Sequence, residues 1–407
     1  MPESPSAAPT LLLSGARLAD GRAVDVRIGG QDIEAVGTAG SLTTRGTRLD
    51  LRGYLLLPAP AEPHAHADTA LTATVGGPRS HRPGDVRRRA TEAALLQLGH
   101  GATALRAHVS VGGAHGLGAL EGVLAARRSL RGLTDLTAVA VPRLLTGAAG
   151  ADGLAVLRDA LEMGAGVIGG SPGLDPDPAG WTEAALDLAA THDRPVDLHT
   201  DGDDPAQLAR LATMADGLRP GLCLSPCAGL SRLPGDQVTR TADRLAAAAV
   251  TVVCLPQGGC SGARLRGTPP VRLLRAAGVR VAAGSGALRD SSNPVGRGDP
   301  LEAAYLLASQ QGLSPEHAYD TVAGAARAAL GLPRVRVEAG FPAELLAVRG
   351  DGLAGALSLA YSRIVVHRGR VVARTSAVRE YRDSGAAAAA LGLPQQGRAD
   401  SGSGGGP

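Results

Sequence analysis

Short apolar runs alternate with Ala-, Leu- and Arg-rich stretches through most of this 407-residue chain, and that alternation constrains the fold more than any other feature. The runs are Ala102 to Val109, Leu136 to Val141, Gly166 to Gly169, Pro195 to His199, Leu222 to Ser225, Val250 to Cys254 and Val279 to Ala283. Helical stretches are expected at Val86 to Leu98, Leu154 to Met163, Thr182 to His192, Pro205 to Met214, Val238 to Ala248 and Pro270 to Ala276. Runs of strand length separated by helical patterns read as β/α units with a parallel sheet. The run Tyr54 to Leu57, read as the strand that delivers His64, brings the count to about eight, which predicts an α/β fold with a (β/α)8 TIM-like barrel over residues 58–333.

The two ends have a different texture. Leu11 to Leu13, Ala23 to Ile28 and Asp32 to Val36 are short β-like runs punctuated by glycine, and Ala343 to Val348, Ile364 to His367 and Val371 to Ala373 resemble them. Chain termini tend to lie close together, so residues 10–57 and 334–375 are expected to form one small β-sandwich domain. Residues 376–407 are rich in Ala, Gly and Ser and read as a disordered tail.

Chemistry concentrates at Glu62-Pro63-His64-Ala65-His66-Ala67-Asp68. Strand side chains repeat every two residues, so two histidines two apart project to one side and offer a pair of ligands for zinc or iron. His108 and His199 end later runs, where barrel function resides. His108 reads either as a supporting or substrate-side residue or as a histidine hydrogen-bonded at the rim. Asp201, two past His199, points the same way if the strand continues, as a base or a ligand. The competing reading, preferred here, makes Asp201, Asp203 and Asp204 a solvated capping cluster for the helix at Pro205. Gln257, in Pro256-Gln257-Gly258-Gly259-Cys260, reads as pocket lining or as a plain turn. His81, His100, His115, His192, His317 and His367 fall in polar or loop contexts and are expected at the surface.

Composition excludes several classes. All 41 basic residues are Arg, so neither a Schiff-base lysine nor a carbamylated-lysine metal bridge exists. Aromatics are 2% and net charge is +3, which disfavours nucleic-acid binding. Cys223, Cys227, Cys254 and Cys260 form no CxxC pair and read as buried free thiols of a cytoplasmic protein. No segment reads as a signal peptide or membrane span.

Taken in order, these motifs resemble the amidohydrolase superfamily, and within it the cytosine-deaminase-like branch. The carriers are Leu57-Pro58 leading into the paired histidines, Arg106-Ala107-His108-Val109-Ser110-Val111 and Met163-Gly164-Ala165-Gly166-Val167-Ile168-Gly169. Val196-Asp197-Leu198-His199-Thr200-Asp201 and Asn293-Pro294-Val295-Gly296 follow. The resemblance implies one divalent metal, zinc or iron, held by His64, His66 and His199, lowering the pKa of a bound water to about 7. It implies a small nitrogenous heterocycle as substrate, with assembly into a homo-oligomer allowed. It also implies residues that are absent. Gly202 stands where a proton-shuttling glutamate belongs, Pro226 where a strand-6 histidine belongs, and Gly286 where a strand-8 aspartate belongs. Arg143 replaces a substrate-holding glutamine, and Asp290 follows the last strand by several residues. Metal is therefore expected to bind more weakly than in a complete site. The alternative to a hydrolase of non-peptide C–N bonds is a catalytically silent relative that binds a small molecule or a partner protein.

Overall fold

The computed structural model describes residues 10–74, 79–218, 221–260, 267–359 and 361–377. The expected tail lies outside them beyond Ala377. The opening strands are β1 (Thr10–Arg17), β2 (Ala23–Gly29), β3 (Asp32–Thr38), β4 (Thr47–Asp50) and β5 (Tyr54–Pro58). The barrel strands are β6 (Glu62–Ala65), β7 (Ala104–Val111), β8 (Asp135–Pro142), β9 (Val167–Gly170), β10 (Val196–Thr200), β11 (Leu222–Pro226), β12 (Thr251–Cys254) and β13 (Arg280–Ala283). The chain closes with β14 (Leu345–Arg349), β15 (Arg363–His367) and β16 (Arg370–Thr375).

Strands β6 to β13 lie in sequence order, every neighbour parallel. An isolated bridge from Ala65 to Gly286, three residues past the end of β13, joins the two ends of the sheet. Helices α1 (Pro83–Gly99), α2 (Gly118–Ser129), α3 (Gly147–Met163), α4 (Pro178–His192), α5 (Pro205–Met214), α6 (Gly235–Ala247), α7 (Val271–Ala276) and α8 (Pro300–Gln311) follow the eight strands in turn. After these come α9 (Pro315–Val322), α10 (Gly324–Ala329) and α11 (Leu353–Leu359). Four helices start with a side-chain cap followed by proline: Asp177-Pro178, Asp204-Pro205, Asp299-Pro300 and Ser314-Pro315. The cap oxygen accepts an otherwise orphaned N–H, and proline sits where no N–H is needed.

The end segments share one sheet, ordered β16-β15-β14-β5-β1-β2-β3 with β4 beside β1. Its strands alternate between two cores. Leu55, Leu57, Leu346, Val348 and Val365 pack into the barrel's core, while Leu56, Leu345, Ala347, Ile364 and Val366 pack into the smaller one. Both faces are buried, which is why these runs read as continuously apolar.

One expectation is corrected. Tyr54–Pro58 is not the first barrel strand; it pairs antiparallel with β14 in the small sheet. Pro58 and Pro60 break the extended run, since proline donates no ladder hydrogen bond and fixes φ. The first barrel strand is Glu62–Ala65 itself, so His64 lies within a strand and His66 just after it.

Candidate metal centre and cleft

Closure of the barrel brings together residues that are remote in sequence. His64 Nε2 lies 3.2 Å from His66 Nε2, and Cys260 Sγ lies 3.2 Å from His66 Nε2 and 3.5 Å from His64 Nε2. With His199 these donor atoms all fall within 4.8 Å of one another, and all four residues are buried. No hydrogen bond of ordinary geometry reaches either ring nitrogen of His199, although the Gly170 carbonyl lies near enough to favour its protonated form. A buried imidazole without a partner is costly unless something else fills its coordination. The donor set therefore fits a divalent cation.

The surroundings orient these rings. Ser225 Oγ is 3.0 Å from His64 Nδ1, leaving Nε2 for the cluster, the arrangement metal-binding histidines ordinarily have. The Glu62 carboxylate accepts from the backbone N–H of His64 at 2.9 Å and of Ser285 at 3.0 Å, tying β6 to the segment after β13. Burial raises Glu62 to about 7. Burial also holds His66 and His199 down to about 4, and it places His64 and His108 well below their usual value, helped by neighbouring positive charge. All four rings are thus neutral near pH 7, the form that donates to metals. Burial pushes the Cys260 thiol up.

Beneath His64 lies a second buried group. His108 and His64 stack with ring centroids 3.9 Å apart, and His108 Nε2 is 3.4 Å from Asp197 Oδ1. Arg106 donates to the other Asp197 oxygen at 3.0 Å and to the Ala329 carbonyl at 2.8 Å. Burial raises the Asp197 carboxyl against the pull of that guanidinium. His108 is therefore an interior residue of the site rather than a rim histidine.

Two clefts adjoin the cluster and share Ser171, Leu174 and His199. One, of about 320 Å³, is lined by His66, His108, Ser110, Arg143 and His199 among others. The other, of about 460 Å³, is lined by His199, Asp201, Asp203 and Gln207 among others. Asp201 lies beyond the end of β10 at Thr200, so the strand does not carry it onto the face of His199; its carbonyl accepts from Gly229 N–H. Asp204, as the capping reading requires, caps α5 through Ala206 and Gln207 N–H. Gln257 spends its side-chain amide on Asp299 O and Gly298 N, and Asp290 accepts from Thr69 and from Ser292 and Asn293 N–H. Neither borders these two clefts. His367, expected at the surface, is buried with Nδ1 2.9 Å from Glu344.

Two of the positions where the resemblance implies a missing side chain have a steric side. Gly202 and Gly286 both adopt left-handed φ, +71° and +70°. A Cβ at 202 would lie 3.1 Å from Cys227 Cα, and one at 286 only 2.5 Å from the Gly259 carbonyl oxygen. Position 286 accepts no side chain without backbone movement, and one at 202 would be strained by its left-handed φ and close neighbours. Sequence reasoning missed Cys260 as a member of the cluster. The only available signal was a cysteine just past a strand end, and its partners stand almost two hundred positions away.

An eight-stranded parallel barrel with buried imidazoles at its strand ends and a composite terminal sheet defines a metallohydrolase-type scaffold. The chain belongs to the amidohydrolase family, whose model matches residues 84–373. It is 26% identical over 377 residues to a pterin deaminase of Rhizobium rhizogenes, covering 83% of this chain and 85% of that protein. Among solved structures it resembles the N-isopropylammelide isopropylaminohydrolase of Burkholderia multivorans, with TM-score 0.81, 26% identity, and coverage of 91% and 100% of the two chains. It also resembles a 5-methylcytosine deaminase of Klebsiella pneumoniae, with TM-score 0.77, 22% identity, and coverage of 91% and 99%.

Proposed function

We propose that the protein is a hydrolase acting on a non-peptide C–N bond of a small nitrogenous heterocycle, with His64, His66 and His199 holding one divalent cation, zinc or iron. The observation that carries this reading is the convergence of the buried His64, His66 and His199 side chains, the last without a hydrogen bond of ordinary geometry, beside an open cleft. The chemistry such a cation supplies is activation of water, whose pKa it lowers to about 7. The smaller cleft, at about 320 Å³, lies at the low end of the range for small-molecule sites, which suits a one- or two-ring heterocycle. Arg143 at its exposed edge offers a planar donor fork to a ring carbonyl or an anionic ring nitrogen. With Gly202 and Pro226 at the proton-handling positions, Asp201 is the carboxylate nearest in sequence to His199 among those lining the cleft they share, and it takes the role of general base. Pterin deaminase as a relative supports a fused-ring amidine substrate.

A second reading has its own support. A side chain is sterically barred at 286 and strained at 202, and a chain that has closed such positions can be a silent relative that binds a small molecule or a partner. Ammonia or amine release from pterins, aminotriazines, creatinine, isocytosine and cytosine, with added zinc, iron or manganese, decides between them. The hydrolase reading expects turnover on at least one of these, though not on cytosine. It expects His199→Ala to abolish turnover and Asp201→Asn to lower kcat by ~10²–10⁴-fold with metal retained. Bound metal without turnover on any of these compounds supports the silent relative.

A further inference from the structure

We infer that Cys260 is the fourth protein ligand of this metal centre, so that the site is a three-histidine, one-thiolate centre with a preference for soft cations. The inference rests on the metal-holding role proposed above for His64, His66 and His199 and extends it.

Three observations converge. First, the geometry matches. Four protein donors set around one zinc, with nitrogen near 2.05 Å and sulfur near 2.3 Å, would be separated by edges of about 3.3 Å between nitrogens and about 3.6 Å between nitrogen and sulfur, and the water of the proposed reaction would enter as a fifth ligand. Three edges are of this size, 3.2 Å for His64 to His66 and 3.2 and 3.5 Å from Cys260 Sγ to those rings, and the edges to His199 fall within 4.8 Å. Second, the position left without a carboxylate cannot regain one. Gly286 sits at left-handed φ with the Gly259 carbonyl where its Cβ would be, and Ala287 N–H donates to that same carbonyl. The backbone segment that blocks residue 286 is the one that carries Cys260 into the cluster. Third, His199 contributes two buried ring nitrogens without hydrogen bonds of ordinary geometry, so the fourth corner of the cluster is also unsatisfied without a cation. A thiolate in place of a carboxylate keeps the ligand charge at one negative unit but softens the donor, which favours zinc over manganese or magnesium. The thiol need not ionise beforehand, because a coordinating thiol is deprotonated outright by the cation it binds.

The test uses the full-length protein, stripped of metal and titrated with cobalt(II) alone. A near-ultraviolet sulfur-to-cobalt charge-transfer band is expected in the wild type and in Cys227→Ser, whose thiol lies outside the cluster. Cys260→Ser should lose the band and weaken binding by more than the ~10–100-fold that loss of a supporting partner costs. Cobalt bound without the band, or a band that persists in Cys260→Ser, overturns the inference. Should Cys260→Ser fail to fold, X-ray absorption of the zinc-loaded wild type decides: one sulfur neighbour supports it, and nitrogen and oxygen alone overturn it. Turnover with a sulfur-free metal would sink Cys260 as a ligand and leave the hydrolase reading standing. A sulfur-bound metal with no turnover would do the reverse.

Discussion

At the scale of single residues, the buried pair of Arg106 and Asp197 matters more to stability than any surface ion pair. Their side chains are 2% and 0% exposed, and the carboxylate also faces His108. Removing one member of such a pair strands the other charge away from water. Asp197→Ala is therefore expected to cost about 3–5 kcal/mol in denaturant unfolding. The double change Arg106→Met with Asp197→Leu should cost far less, because no uncompensated charge remains. A single-variant loss below 1 kcal/mol, on the order of an exposed pair, would show that water reaches Arg106. The exposed pairs Arg22–Asp20 and Arg52–Asp50 are expected to contribute little, being open to solvent and only two positions apart in the chain.

At the scale of elements, Asp175 joins two loops that border the clefts. Its carboxylate accepts from Leu145 N–H at 2.9 Å, Asp177 N–H at 3.0 Å, Thr146 N–H at 3.3 Å and the Thr146 hydroxyl, linking the entry to α3 with the segment before α4. Burial opposes ionisation, but the hydrogen bonds from Thr146, Asp177 and Leu145 outweigh it and hold the group below its ordinary 3.8. A depressed acid stabilises the fold above its unfolded value and loses that contribution as pH falls through the folded value. Asp175 should therefore add no slope to stability between pH 5 and 8, and its contribution should fade only below about pH 4. Asp175→Ala leaves those donors without an acceptor and is expected to cost about 1–3 kcal/mol at pH 7. The difference from wild type should shrink in acid. A difference that stays constant from pH 7 to 3 would mean the hydrogen bonds do not depend on the charge.

At the scale of the molecule, the small sheet is held together through β5 and β14, which come from opposite ends of the chain. Leu55, Leu57, Leu346 and Val348 are no more than 3% exposed and fill the barrel's core from this sheet, while Leu56, Leu345 and Ala347 fill the smaller core on the other face. Ending the chain at Pro342 would remove β14, β15 and β16 and expose both sets at once. Fully burying a Val, Leu or Ile side chain is worth about 1.5–3 kcal/mol, so losing Leu345, Leu346, Val348, Ile364, Val365 and Val366 is comparable to the ~5–15 kcal/mol stability of an ordinary domain. The truncated chain is expected to be insoluble or to lack a cooperative melting transition. A soluble product that melts cooperatively would show that the barrel does not need the terminal sheet.

The repeating strand and helix pattern, the prolines that follow helix caps, and the paired histidines at 64 and 66 were readable because each is written in residues a few positions apart. Local periodicity and capping depend on backbone geometry that any window of the chain carries. The absences assigned to Gly202, Pro226 and Gly286 came instead from the resemblance, by position within its motifs. The place of Tyr54–Pro58 was not, because an apolar strand does not say which sheet it joins, and only pairing with β14 decides it. Cys260 and His66 stand 194 positions apart, and Arg106 and Asp197 stand 91 apart. Such contacts exist only once the barrel has closed through Ala65 and Gly286, which sets strand ends from the whole chain around one axis. Sequence alone determined the scaffold and pointed to three histidines of the cluster. Tertiary closure brought Cys260 beside them.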